Sequence, residues 1–433
     1  MKIAIVGSGI SGLTAAYLLA EQHQVTLFEA GSYLGGHTNT IEIEAAGQSL
    51  ALDTGFIVYN ERTYPNFSRL LKQLGVATQP SDMSFSVRSD RSGWEYCGSS
   101  ISGLFAQRRN LLRPAFYRML KDIVRFNRSS PMLLTGNDHE LTLGDYVDRE
   151  QYGRDFLEHY LIPMGAAIWS APPSRMRQFP IRYFVQFCSN HGLLSLTDRP
   201  QWRTVSGGSA RYIEAMRRAR PFEVRLNRPV RSIVRRRDEV SVVAGQSAGE
   251  TFDHVVVAAH SDQALQMLAD PTPAESEILG AFAYQRNEAV LHTDAAPLPR
   301  RRRAWASWNY HVSANSQDAA SVTYWLNRLQ RLKTSKDYCL TLNATAAIDP
   351  TKILRRITYH HPLYTAAAVS AQSRHAEISG PRRTHFCGAY WGYGFHEDGV
   401  KSALAVVKHF DQKGEPCRVA STLGTSGIAA LAP

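Results

Sequence analysis

The first thirty residues limit what this chain can become. An apolar run, Ile3, Ala4, Ile5 and Val6, leads into the loop Gly7-Ser8-Gly9-Ile10-Ser11-Gly12. A helical stretch follows through Leu19, and a second run, Val25-Thr26-Leu27-Phe28, stops at Glu29. Strand, glycine turn, helix, strand and acid in this order and spacing make a dinucleotide-binding unit. Gly7 allows the tight turn, Gly9 lets the backbone approach a pyrophosphate, and Gly12 lets the helix sit close on the sheet. Ile10 and Ser11 open the helix, whose first amides point at the phosphates. Glu29 is placed to accept hydrogen bonds from ribose hydroxyls.

FAD and NAD share that unit, and later segments favour FAD. Directly after Glu29 come Ala30 and the pair Gly35-Gly36, followed by His37 and Thr38, then Thr54-Gly55-Phe56. Adjacent glycines let backbone amides wrap a longer cofactor where a side chain would obstruct it. Near the other end stands Phe386-Cys387-Gly388-Ala389-Tyr390-Trp391-Gly392-Tyr393-Gly394-Phe395-His396-Glu397-Asp398-Gly399, followed by an apolar helical pattern of Val400, Ala403, Leu404 and Val407. Such a strand, glycine loop and helix start would aim amide dipoles at a flavin ring. There is one complete GxGxxG, and Ser206-Gly207-Gly208-Ser209 does not supply a second. Electrons are therefore expected from an organic substrate rather than from NADPH bound in its own domain.

With these segments the chain resembles the FAD-dependent amine oxidase superfamily, which includes monoamine oxidases, protoporphyrinogen oxidase and carotenoid desaturases. The resemblance covers nearly the whole chain, including the strand at Val255-Val256-Val257-Ala258-Ala259. Within it, Ala306-Ser307-Trp308-Asn309-Tyr310, Thr323-Tyr324-Trp325-Leu326-Asn327-Arg328-Leu329-Gln330 and Gly394 to Gly399 look like a narrower group. That group comprises predicted NAD/FAD-binding flavoproteins associated with cyclopropane-fatty-acid synthase-type lipid methyltransferases. The resemblance implies an α/β fold: a Rossmann-type FAD-binding domain, discontinuous over 1–60, 204–265 and 382–412, with an inserted α+β substrate domain over 61–203 and 266–381. It also implies that Val230 meets the adenine through its backbone, and that Ala259, Gly388, Gly394, Phe395, His396 and Glu397 belong to the cofactor site. Two departures stand out. The stretch Tyr284 to His292 lacks the lysine that the amine oxidases place near the flavin, and Ala389 stands where many relatives carry an acid.

The chain has 433 residues, 44% hydrophobic and 20% charged, enough for two cores. Its net charge of +11 suggests an anionic partner, and without a nucleic-acid motif that partner is expected to be a lipid surface. Five cysteines, Cys97, Cys188, Cys339, Cys387 and Cys417, show no CxxC spacing and no metal set, which fits a reducing compartment. No apolar run reaches the roughly 18 residues of a membrane span, and the first strand begins at Lys2. A cytoplasmic protein is expected, peripheral on the inner face of the membrane at most. Residues 413–433, rich in Gly, Ser, Thr and Ala, read as a flexible tail.

From Pro114, Phe116, Met119, Leu120, Ile123 and Val124 form an apolar stripe at helical spacing, with Arg118, Lys121, Arg125 and Arg128 beside it. The pattern fits a helix lying in lipid headgroups, and better an ordinary surface helix whose stripe packs on the core. The run Arg300 to Arg303 makes a second basic site.

Candidates for the substrate side are Trp308, Asn309, Tyr310, His311, Tyr324, Trp325 and Asn327, with Tyr390 and Tyr393 approaching from the flavin loop. His292, His311 and His396 are the candidate proton acceptors. Asn309, Tyr310, Tyr324 and His396 are taken as catalytic, and His396 leads because it abuts the loop. Neither His37 nor the cysteines offer an attachment signature, so noncovalent FAD is expected. The function read from these features is dehydrogenation of a fatty-acyl or other lipid substrate at the membrane surface. Its rivals are oxidation of an amine or other apolar small molecule, and a redox-inert FAD- or lipid-binding partner of a lipid methyltransferase.

Overall fold

A computed structural model describes residues 1–45, 47–136, 140–195, 197, 199–246, 248–314 and 319–411. Cys417 and the expected tail lie outside the described residues. Five strands form a parallel sheet: β1 (Lys2–Val6), β2 (Gln24–Phe28), β3 (Glu223–Arg225), β4 (His254–Val257) and β5 (Thr384–Phe386), in the order β3-β2-β1-β4-β5. Strands far apart in sequence thus lie side by side at the centre of one sheet.

The strands are apolar on both faces because both faces are covered. Ile3, Ile5 and Val256 pack under the helices α1 (Ile10–Leu19), α2 (Pro65–Gln73) and α4 (His396–Asp411). Ala4, Val6, Val255 and Val257 face a three-stranded antiparallel layer over 230–252, through Val240, Val242 and Phe252. Each buried Ile or Val contributes roughly 1.5–3 kcal/mol. Helix α1 carries apolar and small residues all round and is buried along its whole length, as a helix between a sheet and other helices must be. In the three-stranded layer Arg235 is not part of a solvated charged turn as its neighbours are. It sits in the strand Val230–Arg235, fully buried, with its guanidinium on the Glu275 carboxylate and on Asp270.

The larger core lies elsewhere. A seven-stranded sheet runs Ile353–Leu363, Ala283–His292, Cys339–Leu342, Val322–Trp325, Trp308–Val312, Phe85–Ser89 and Trp94–Cys97. Helices between 114 and 190 pack against it, among them α3 (Pro114–Ser129). Phe116, Met119 and Phe126 of α3 are buried in that core, so the inner stripe of the helix is used for packing. Cys97, Cys188, Cys339 and Cys387 are buried and free. Among the described residues no helix is long and apolar enough to cross a membrane, and no cluster of potential metal ligands occurs.

Candidate functional site

The loop between β1 and α1 is shaped by its glycines. Gly7 has φ +101°, and a Cβ there would meet the Ala258 carbonyl oxygen at 2.7 Å. A Cβ on Gly12 would fall 2.0 Å from the Gly7 carbonyl oxygen. Gly9 differs, because a Cβ there would meet nothing within 4 Å. It caps α1 with no side-chain hydrogen bond, so the first amides of the helix have no side-chain partner. At the end of β2 the Glu29 carboxylate accepts from the Ser8 amide at 2.9 Å and the Gly31 amide at 2.7 Å, which fixes it beside the loop. Ala30, next along, is exposed.

The segment 35–56 closes over this loop. Gly36, at φ +57°, approaches so closely that a Cβ would lie 3.4 Å from the Gly9 Cα. Gly55 passes His37 with no room for a side chain, since a Cβ would fall 2.1 Å from the His37 carbonyl oxygen. The Phe56 amide donates to that same oxygen at 2.7 Å. Thr54 donates its hydroxyl to the Asn39 carbonyl at 2.8 Å and shares a hydrogen bond with the Tyr359 hydroxyl at 2.9 Å.

The far end of the chain arrives at the same place. Helix α4 starts against the start of α1: a Cβ on Gly399 would meet Ile10 Cγ2 at 2.6 Å and Ser11 Oγ at 2.9 Å. The His396 ring stacks on Phe56 with centroids 3.5 Å apart, and its Nε2 shares hydrogen bonds with Thr38 at 3.0 Å and Tyr212 at 3.3 Å. Gly388 donates its amide to Ser402 Oγ at 3.0 Å, and Gly394, at φ +93°, packs against the Tyr364 hydroxyl. Phe395 stacks on Phe187 with centroids 5.1 Å apart. Gly7, Gly9, Gly12, Gly36, Thr38, Phe56 and His396 are thus gathered around the two converging helix starts. Val230 lies at the start of the three-stranded layer, two residues after Arg228, whose amide donates to the Glu29 carbonyl at 2.9 Å.

Among the polar atoms here that are buried without a hydrogen-bond partner are His37 Nε2 and the hydroxyls of Tyr364 and Tyr390. His37 belongs to a group of imidazoles that no run in the sequence announces. Its ring stacks on Tyr359 at 4.7 Å and lies 5.1 Å from His361 and 6.5 Å from His260, while His260 stacks on Tyr284 at 4.4 Å. Burial, then the neighbouring imidazoles, hold His37 well below the usual histidine range, and burial lowers His361 to about 4. The open space at Gly9 and the orphaned His37 nitrogen beside it fit a phosphate-bearing cofactor such as FAD.

Several candidates drawn from the sequence are corrected. Asn309 is scaffolding: its amide donates to the Ala306 and Thr323 carbonyls at 2.6 and 3.0 Å, and its Oδ1 accepts from Ser86 Oγ and the Ala306 amide at 2.8 and 2.9 Å. Every polar valence of that side chain is filled inside the sheet, leaving nothing for a substrate. Tyr310 is buried in the same core, and Tyr324 packs edge-on against Trp308 and bonds Ser170. Among the described residues no hydrogen bond or ring contact joins Tyr310 or Tyr324 to the 388–398 loop. His292 is tied to Thr341 Oγ1 at 2.7 Å and the Asp294 amide at 3.1 Å, and His311 pairs with Asp90 at 2.7 Å. Trp325 and Asn327 bond their neighbours Asp337 and Lys336. The Glu397 carboxylate is spent on the start of α2, accepting from the Asn66 amide and side chain and the Phe67 amide. Burial drives His396 down to about 3, which removes it as a base near neutral pH.

The sequence reading passed over Asp398. This buried carboxyl accepts from the Phe395 amide at 3.0 Å and lies so close to Gly392 that a Cβ there would meet Oδ1 at 2.4 Å. Burial raises it to about 7, so it holds and releases a proton at neutral pH. It lies in the first turn of α4, beside the start of α1 that Gly399 touches, and is therefore added to the candidate site residues.

Residues 10–325 match the model of the flavin containing amine oxidoreductases. This chain belongs to that family. Its members are FAD-dependent oxidoreductases. Over 47 residues, 11% of this chain, it is 49% identical to an L-amino-acid oxidase of Pseudechis australis, and the match spans only 9% of that protein. Cyclohexylamine oxidase from Brevibacterium oxydans IH-35A superposes with a TM-score of 0.68 at 16% identity, covering 95% of this chain and 99% of the other. A CLA-producing fatty acid isomerase from P. acnes gives a TM-score of 0.64 at 13% identity, with 94% and 98% covered. At such identities these two structures speak for the fold alone.

Proposed function

We propose that this oxidoreductase dehydrogenates an apolar, lipid-like substrate, with noncovalent FAD seated between the starts of α1 and α4. The observation that carries the reading is the aromatic wall facing the 388–398 loop. Tyr183 lies 4.5 Å from Tyr393 and 5.2 Å from Tyr364, and Phe187 meets Phe395 and Trp169 at 5.1 and 4.9 Å, all as ring-centroid distances. Of the acids beside this wall, Glu397 is engaged by α2, and Asp398 accepts from the Phe395 amide and, raised by burial to about 7, is protonated over much of the neutral range. A wall of rings with its acids occupied suits an acyl chain better than an ammonium group. The absence of lysine in 284–292 points the same way.

In this reading the α1 amides and Gly9 bind the pyrophosphate, Glu29 the ribose and the Val230 backbone the adenine. His37 donates from its otherwise unpartnered nitrogen. Bound FAD would supply the acceptor for a hydride from the substrate. The aromatic wall excludes water and aligns the chain, the Tyr364 hydroxyl orients a polar atom at Gly394, and Asp398 holds the proton released near neutral pH. A substrate modified by a lipid methyltransferase remains part of the proposal.

The test is anaerobic titration of the purified FAD-loaded protein with membrane acyl lipids and, separately, with mono- and polyamines. Bleaching by lipids alone supports the reading. Bleaching by amines alone replaces it with amine oxidation. No bleaching by either, in a protein on which a lipid methyltransferase still depends, makes it a redox-inert partner.

A further inference from the structure

Ten large apolar side chains are exposed among the described residues, and six of them fall between 101 and 132: Ile101, Leu111, Leu112, Tyr117, Val124 and Met132. Ile101 and Leu112 are 80% and 86% accessible, as open as side chains in an unfolded segment. Scattered exposed apolar residues need no explanation, but a cluster does. These stand among Arg108, Arg109, Arg118, Lys121, Arg125 and Arg128, all exposed. The inner face of α3 is buried, so this outer face is what the helix offers to the surroundings. Beside it an open groove of about 700 Å³ runs past Leu120, Lys121, Val124, Arg128 and Met132.

The fold adds a second basic element that the sequence kept nearly two hundred residues away. The short turn Arg302–Ala304 packs on the helix Ile101–Leu104 and on the strand Trp94–Cys97. Its approach is pinned by Glu95, whose carboxylate accepts from the amides of Arg300 and Arg301, both at 3.1 Å. Arg109 is held on the same edge by the Gly93 carbonyl. Arg300, Arg301, Arg302 and Arg303 therefore stand exposed beside Ile101.

We propose that the surface formed by 101–132 and the 300–303 run docks on an anionic lipid bilayer, with Ile101, Leu112 and Met132 entering the acyl region and the arginines meeting phosphates. Apolar tips ringed by cations match the two layers of such a surface, acyl chains below and anionic headgroups above. A protein partner would have to supply both an acidic rim and apolar pockets. The inference deepens the lipid reading above, yet its test needs no oxidisable substrate, so either can fail alone.

The FAD-loaded protein is sedimented with vesicles of phosphatidylcholine alone and with vesicles carrying phosphatidylglycerol. Binding to the anionic vesicles is expected to be at least tenfold stronger and to weaken with salt. Replacing Ile101→Ser together with Leu112→Ser, or all four of Arg300→Gln, Arg301→Gln, Arg302→Gln and Arg303→Gln, is expected to cut it about tenfold with flavin content unchanged. A charge-matched control, Arg217→Gln, Arg218→Gln, Arg231→Gln and Arg237→Gln, is expected to bind nearly as the parent. Equal loss in the control would mean that net charge alone acts, and would overturn the proposal. So would equal binding to both vesicle types, or apolar variants that alter only the oligomeric state.

Discussion

The seven-stranded sheet and the junction of the two helix starts both bury polar side chains, and Asn309 in the one and His37 in the other are bonded in opposite ways. In the sheet Asn309 fills all its hydrogen-bonding positions, Thr323 and Thr341 pair at 2.8 Å, and His292 is held on both ring nitrogens. At the junction the first amides of α1 have no side-chain cap, and His37 Nε2 and the Tyr364 hydroxyl have no partner. A closed polar network stiffens a scaffold, while open donors and acceptors await a ligand. Residue type alone does not separate the two; completeness of bonding does.

The strongest attack on this contrast is Gly12→Val. Its side chain would press on the backbone of Gly7, which cannot yield, and the expected result is loss of folded, flavin-containing protein, read from flavin content and thermal melting. Normal melting with full flavin would break the account of the loop. Next, Asn309→Ala orphans several buried groups at about 1–3 kcal/mol each. A loss of about 3 kcal/mol in urea unfolding is expected, with flavin reduction per folded molecule unchanged. A selective loss of reduction would restore Asn309 to the site.

Two titrations of opposite sign sharpen the comparison further. His396 takes a proton near 6.5 when unfolded but resists it until about 3 when folded, so its stabilisation is complete above 6.5 and is lost as pH falls. Asp398 behaves inversely: unfolded it ionises near 3.8, folded near 7, so stability declines as pH rises between those values. Asp398→Asn, which mimics the protonated acid, is therefore expected to gain on the parent by roughly 2 kcal/mol between pH 5 and pH 7. Parallel unfolding curves of the two proteins at both pH values would show that the carboxyl is not held protonated. The smallest effect is expected at Gly9→Ala, where space is open: an unchanged melting temperature with about tenfold weaker FAD binding, some 1.4 kcal/mol. Unchanged binding would mean that nothing occupies that space.

Local features were readable from the chain. Apolar runs of four or five residues gave β1, β2 and β4, and the glycine spacing placed the start of α1, because these depend on near neighbours. The stripe on α3 was visible too, but periodicity could not say that Phe116 and Phe126 turn inward while Val124 stays outside. Asn309 looked chemical because its partners Ser86 and Thr323 reach it only through sheet register, which a single sequence does not display. Asp398 stood one place beyond two residues already singled out. What raises it is the burial imposed by folding, a property of assembled layers rather than of the local string. The imidazoles of His37, His260 and His361 come from three separate segments and likewise meet only in three dimensions.

The contact of Gly399 with Ile10 and Ser11 has a consequence for biosynthesis. The ribosome makes the nucleotide loop long before the helix that covers it, so the pocket stays unfinished until both segments have emerged. Stable cofactor loading is thereby expected only after α4 has been made, and products truncated before β5 are expected to hold FAD poorly.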